Sequence, residues 1–442
     1  MREVTRFCSR RPFRHRFLAA LAVALVVLIG CRPRGERVVT APTPTPGASA
    51  TVESTINPAE PTPTPSHFEL VVWAPVALSP QSREGGADLL TRQVEAFEAA
   101  NPTISIRYEP KAQRGTSSLL QFLRTTSTVA PRVLPDLVIL PSGDFNDAAR
   151  AGLLYPLDSL VADNLVQALY PFARRDGRFG DSLLALPLVV TVEHLVYRPQ
   201  GARRPPTTWE EFLGGQQRLL FAAGGRSDGV NDPFLLQLLN VRDEPFLGGE
   251  VPDMEALERV LELYQAGRSH GLIPAEVTTL SESEDLWSRF LTGEAELLET
   301  DARTFLIEQS RVTGLAYAPV PTNNGLPTTV AEGHLVAITT VDPARQRAAA
   351  AYIAWLLAPE QVGPYASTTR WFPTRPDALE SAIADAGYRE FANSLLTRAW
   401  LRPSGSQWTA VSRAMQEQVV AVLNDQRTPA EAVQVLQESL RP

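Results

Sequence analysis

Two amino acids are almost missing from this chain, and each absence narrows the reading. Cysteine occurs twice in 442 residues, as Cys8 and Cys31. If the first thirty residues are removed, at most one thiol remains, so a disulfide framework and a thiolate metal site are both excluded for the body. Lysine occurs once, as Lys111, and arginine supplies nearly all the positive charge. That reads as a genome-composition effect, not as chemistry. The formal net charge is -8, which argues against a nucleic-acid partner. No second long apolar run follows the amino terminus. The sequence also lacks G-x-S-x-G, H-E-x-x-H, a P-loop and G-x-G-x-x-G, so no enzyme is expected. Paired carboxylates for glycoside hydrolysis stay open, because their separation is three-dimensional.

The amino terminus is an address. Arg10, Arg11, Arg14 and Arg16 precede an apolar run from Phe17 to Ile29. A permanent membrane helix needs roughly 20 apolar residues, and this shorter run fits the core of a signal peptide. It ends in Leu28-Ile29-Gly30-Cys31, which resembles the lipobox of bacterial lipoproteins. Residues 1–30 are therefore expected to be removed and Cys31 to carry lipid, anchoring the protein on the extracytoplasmic face of a membrane. Residues 31–66 follow, rich in Pro, Thr, Ser and Ala, with Thr43-Pro44-Thr45-Pro46 and Pro61-Thr62-Pro63-Thr64-Pro65. Such a segment cannot bury enough apolar surface to offset its ordering, and it is expected to act as an extended tether.

From His67 onward the pattern is that of a globular α/β body, and its length favours two domains. Phe68-Glu69-Leu70-Val71-Val72-Trp73 predicts a strand. A helix with Leu90, Val94 and Phe97 at helical spacing stops at Asn101-Pro102, where Asn is suited to a left-handed cap. Ile104 to Tyr108 predicts a second strand, Leu119, Leu120 and Leu123 a second helix, and Asp136 to Leu140 a third, fully covered strand. This β-α-β-α-β order implies parallel strands with ligand loops beyond their carboxyl ends. Leu186 to Tyr197 is long for one strand. Thr208 with Glu211 predicts a capping box. Leu335 to Ile338 predicts a further strand, and Asp342-Pro343 opens a helix.

These pieces, in this order, resemble the extracellular solute-binding proteins that include maltodextrin- and sugar-binding proteins of ABC importers. The matching stretches include Val71-Val72-Trp73-Ala74, Phe97-Glu98-Ala99-Ala100-Asn101-Pro102 and Pro135-Asp136-Leu137-Val138. Pro206-Thr207-Thr208-Trp209-Glu210-Glu211, Phe290-Leu291-Thr292-Gly293-Glu294-Ala295 and Glu332-Gly333-His334-Leu335 complete them. The resemblance implies a periplasmic-binding-protein-like fold: two discontinuous α/β lobes, a hinge and a ligand cleft between them. Lobe one would be 67–190 with 336–376, and lobe two 191–335 with 377–442. Crossings would lie near Val189 to His194, Glu332 to Ile338 and Trp371 to Asp377. A monomer delivering a sugar or similar polar solute to permease subunits is implied. A lipoprotein of this fold serving as a sensor or interaction partner is the alternative.

Sugars offer hydroxyl edges and apolar ring faces, which suit carboxylates and aromatics respectively. Trp73, Trp371 and Trp408 are the aromatic candidates, although each is equally readable as a packing tryptophan. Ser142 and Asp144 follow the third strand. Glu193 and His194 lie on the first crossing, and the resemblance makes Glu193 an acidic ligand contact; a hinge ion pair is the competing role. Asp301 falls where relatives carry a loop bordering the cleft. Glu332 and His334 lie on the second crossing. Glu193-His194 and Glu332-Gly333-His334 lack the spacing of a helical metal site, so neither metal nor cofactor is expected. Asp228-Gly229-Val230-Asn231-Asp232 lacks the spacing of a calcium loop and reads as a polar turn.

Overall fold

The computed structural model describes residues 67–113, 115, 118–199, 204–226, 229–244, 246, 252–281 and 283–441. The signal segment, Cys31 and the tether lie outside the described residues, as does Asp228. In chain order, the strands that build the main sheet are β1 (Phe68–Pro75), β2 (Ile104–Lys111), β3 (Leu137–Pro141), β4 (Ala185–Tyr197) and β5 (Leu219–Leu220). They continue as β6 (Leu297–Asp301), β7 (Ala316–Ala318), β8 (Thr329–Ile338), β9 (Phe372–Pro373) and β10 (Ala399–Leu401).

The order along the sheet is β2-β1-β3-β8-β4-β6-β5. β1 pairs parallel with β2 and β3, as the alternation of strand and helix implies. Beyond β3 the sheet turns antiparallel, because β8 returns against β3 and β4 returns against β8. The 13 residues of β4 form one strand. Its first part pairs with β8 and its last part with β6 and β7, so it runs from one lobe into the other.

Local chemistry sets the helix ends. Helix Ala87–Ala100 stops at Asn101, which takes φ -132 and ψ 69 instead of a left-handed cap. Its side-chain amide donates to the Phe97 carbonyl at 2.9 Å, and Pro102 blocks any further turn. Thr208 accepts from the Glu211 amide, while Glu211 turns back to Thr207, one residue before the cap. The complete capping box belongs instead to Thr428 and Glu431.

Helices cover both faces of the sheet, giving a large core across both lobes and a smaller one under helix Leu119–Val129. Trp73 belongs to the smaller core. β8 crosses β4 so closely at Gly333 that a Cβ there would run into the Val189 carbonyl, and the register shifts next to it, between His334 and Leu335.

Candidate functional site

A cleft of about 1010 Å³ opens between the lobes. Its floor comes from the crossing strands, and the strand register explains which side chains meet there. Glu193 stands opposite Asp301, and Glu332 stands opposite Thr191. Because strand side chains alternate between faces, Thr191 and Glu193 share one face of β4, and Glu299 and Asp301 share one face of β6. All five residues line the cleft. From the first lobe, Gln113 and Asp144 face it; from the second, Arg226 and Asp232 do so.

The floor is polar: Glu299 and Asp232 are buried, and Thr191, Glu193, Asp301, Glu332 and Arg226 are half-buried. The Asp301 side chain caps helix Ala302–Glu308, accepting from the Thr304 amide at 3.0 Å and from the Thr191 hydroxyl at 3.1 Å. Asp232 is held by Arg402 and by Arg226, the latter at 2.8 Å. Arg226 also bonds Glu332 at 2.7 Å. Glu299 is 3% exposed and its Oε1 has no hydrogen-bond partner. Burial, with Asp232 nearby, pushes the Glu299 carboxyl up to about 8. Burial, then the charges of Asp232, Asp301 and Glu299, pushes Glu193 well above the ordinary carboxylate range. On the first lobe, burial and the neighbouring Asp147 raise Asp144 to about 6.

Four candidates sit elsewhere. Trp73 is 5% exposed and packs under helix Leu119–Val129. Its indole N–H donates to Glu109 at 2.9 Å, and the Lys111 ammonium lies 4.4 Å from its ring centre. A tryptophan at the end of a parallel strand still alternates, and here alternation points it into the core. Trp408 is also buried, against Phe246. His194 faces away from Glu193, among Phe305, Tyr388 and Phe391. It contacts the Tyr388 hydroxyl at 3.0 Å, and burial lowers its pKa to about 4. Ser142 is buried and accepts from the Gly333 amide at 3.3 Å.

Asp144, Glu193, Asp301, Glu332, His334 and Trp371 do line the cleft. His334 lies 2.8 Å from Gln113 and edge-on to Trp371, and burial with Arg303 nearby lowers its pKa to about 3. The Arg303 guanidinium sits 5.2 Å from the Trp371 ring centre and pairs with Glu84 at 2.8 Å, linking the lobes. Sequence reasoning missed Arg226, Asp232, Glu299 and Arg303. For Glu299 a signal existed: a glutamate directly after the apolar Leu297-Leu298 in a strand buried through Thr300 costs free energy unless it is partnered or serves a site.

The family model for the bacterial extracellular solute-binding protein matches residues 92–389. The chain belongs to this family. Among solved structures, the cyclic alpha-maltosyl-1,6-maltose binding protein of Arthrobacter globiformis is similar with a TM-score of 0.69 and 19% identity, covering 85% of this chain and 98% of that one. The sugar-binding protein MalE of Xanthomonas citri is similar with a TM-score of 0.68 and 18% identity, covering 84% and 96%. These likenesses establish the periplasmic-binding-protein-like fold with two lobes. The maltotriose-binding protein of Pyrococcus abyssi is 32% identical over 78 residues, which span 18% of this chain and 17% of that protein. In this family the solute-binding role places the cleft outside the cytoplasm.

Proposed function

We propose that this protein captures a sugar or similarly hydroxylated polar solute in the inter-lobe cleft and delivers it to the permease subunits of an ABC importer. The cleft carries the reading. At about 1010 Å³ it is of the size that holds small ligands, and its floor offers carboxylates to hydroxyl donors. The sugar-binding structures named above share the fold and support the ligand class. In the same reading Cys31 is the lipidated amino terminus, residues 32–66 are the tether, and the protein is a monomer that catalyses no reaction. Lobe one is 67–190 with 336–376, and lobe two is 191–335 with 377–442, the short helix Leu379–Ala382 staying packed on helix Pro359–Thr369 of lobe one. Closure is a hinge motion at the crossings.

A thermal-shift and calorimetric screen of the mature protein against mono- and oligosaccharides tests this. A cognate solute at 100 times its Kd adds about 2.7 kcal/mol of apparent stability. A panel of sugars and polyols that shifts nothing at millimolar concentration would defeat the reading. For the anchor, Cys31→Ala is expected to accumulate as unlipidated precursor, whereas a mature wild-type amino terminus elsewhere than Cys31 counts against it.

A further inference from the structure

The cleft floor holds more carboxyl groups than its arginines pair. Arg226 is shared between Asp232 and Glu332, Arg402 is bound to Asp232, and Arg303 is paired with Glu84. No ion pair or side-chain hydrogen bond reaches the carboxyl of Glu193 or Glu299 among the described residues. Glu299 lies 97% out of solvent by its 3% exposure, with Oε1 orphaned, yet it lines the cleft. A buried carboxyl with no partner costs free energy that a ligand donor can recover. Among the described residues no group of three or more His, Cys, Asp and Glu is arranged to hold a metal ion.

Two features decide which donor. Glu193 faces Asp301 directly across the strands, and Glu299 is two residues from Asp301, so Glu193 and Glu299 are diagonal neighbours. Diagonal positions are roughly 7–8 Å apart at the backbone. One ammonium nitrogen, with three donors, can bond to both carboxyls at about 2.8 Å each; a hydroxyl has one hydrogen and no charge to offer. Ring stacking is also scant. Trp371 is the one tryptophan, tyrosine or phenylalanine lining the cleft among the described residues, and Arg303 already lies over its ring.

We propose that the solute is a hydroxylated amine of the amino-sugar type, whose ammonium group is held between Glu193 and Glu299. This rests on the reading that the cleft is the solute site. Without solute, Glu299 keeps its proton near neutrality. The groups facing it are Glu193 on β4, Asp301 on its own strand, Asp232 at the start of helix Asp232–Arg242 and Tyr264 of helix Met254–Ser269. Arg226 is shared between Asp232 and Glu332, and Arg402 is bound to Asp232. An arriving ammonium favours the ionised carboxyl, so binding releases a proton to the buffer.

The test is calorimetric titration of the mature protein near neutral pH with D-glucosamine and its β-1,4-linked dimer. Glucose, cellobiose and N-acetyl-D-glucosamine serve as uncharged counterparts. The amines are expected to bind at least roughly tenfold more tightly than the counterparts. Their binding heat should change between buffers of different ionisation enthalpy in the sense of proton release. Glu193→Gln and Glu299→Gln, nearly isosteric, should each abolish the preference while keeping the wild-type melting profile within a few degrees. Equal or tighter binding of the neutral sugars overturns the amine proposal and leaves the solute-binding function standing. Preference for amines that survives both substitutions overturns the assigned seat. If neither class binds, the proposal fails together with the sugar reading of the cleft.

Discussion

Glu193 and His194 are consecutive residues of one strand, and they live in opposite chemistries. Glu193 opens onto a charged floor beside Asp301. His194 is 0% exposed within a cage of Phe305, Tyr388 and Phe391. Alternation of side chains along a strand is enough to separate them. The same division holds for the tryptophans: Trp73 faces the core under Lys111, whereas Trp371 faces the cleft under Arg303. A residue type therefore says little about binding in this fold until the strand face is known. The buried face carries the packing, and the cleft face carries the polar and charged groups.

The widest gap across this division is expected between the two tryptophans. Trp73→Ala removes a packed indole and should cost about 3–5 kcal/mol in denaturant unfolding. Trp371→Ala should cost clearly less, since one side of Trp371 already faces the cleft. Equal losses would erase the distinction between core and cleft for these residues.

The adjacent pair gives a somewhat smaller effect. His194→Ala opens a cavity and leaves the Tyr388 hydroxyl unpaired, so a loss of about 2–4 kcal/mol is expected. Glu193→Gln should stay within about 1 kcal/mol of wild type without ligand. If Glu193→Gln unfolds the protein as readily as His194→Ala, Glu193 is a structural hinge residue and not a vacant cleft acid.

A pH-dependent effect, absent at low pH, sharpens the charge argument. Glu299 titrates at about 8 in the folded chain against 4.5 for the free side chain. At low pH both states hold the proton and nothing is lost. As pH rises past 4.5, the unfolded chain releases its proton first, and the folded state loses stability until about pH 8. Glu299→Gln cannot titrate, so its advantage over wild type should grow steadily across that window. Melting curves whose difference is constant with pH would show that Glu299 is not a desolvated carboxyl.

Much of the scaffold was legible because its signals are local. β1, β2 and β3, the helix ending at Ala100 and the cap at Thr208 all follow from residue periodicity and capping chemistry. The long run from Leu186 to Tyr197 announced β4 as an unusual strand. Of the candidate binding residues, Asp144, Glu193, Asp301, Glu332, His334 and Trp371 line the cleft, whereas Trp73, Ser142, His194 and Trp408 are buried away from it. For Trp73 and His194 the failure was one of face, since the sequence names the strand but not its register against neighbours. Trp408 lies on the buried side of a helix, and Ser142 turns back onto the Gly333 amide. Asp232 read as part of a polar turn because its stretch lacks calcium-loop spacing, and its partner Arg402 is 170 residues away, beyond any local pattern.

The sequence by itself determined the order of strands and helices, the parallel start of the sheet and the acidic character of the chain. Those properties follow from propensities, periodicity and composition, which act over a few residues at a time. Only the tertiary structure decided that β4 and β8 cross side by side. That crossing is close enough at Gly333 to exclude any side chain. The crossing sets Glu332 against Thr191, and the pairing of β4 with β6 sets Glu193 against Asp301 and leaves Glu299 Oε1 beneath the cleft without a partner. Register between strands more than a hundred residues apart is fixed by packing of both sheet faces at once, and no local pattern carries that information.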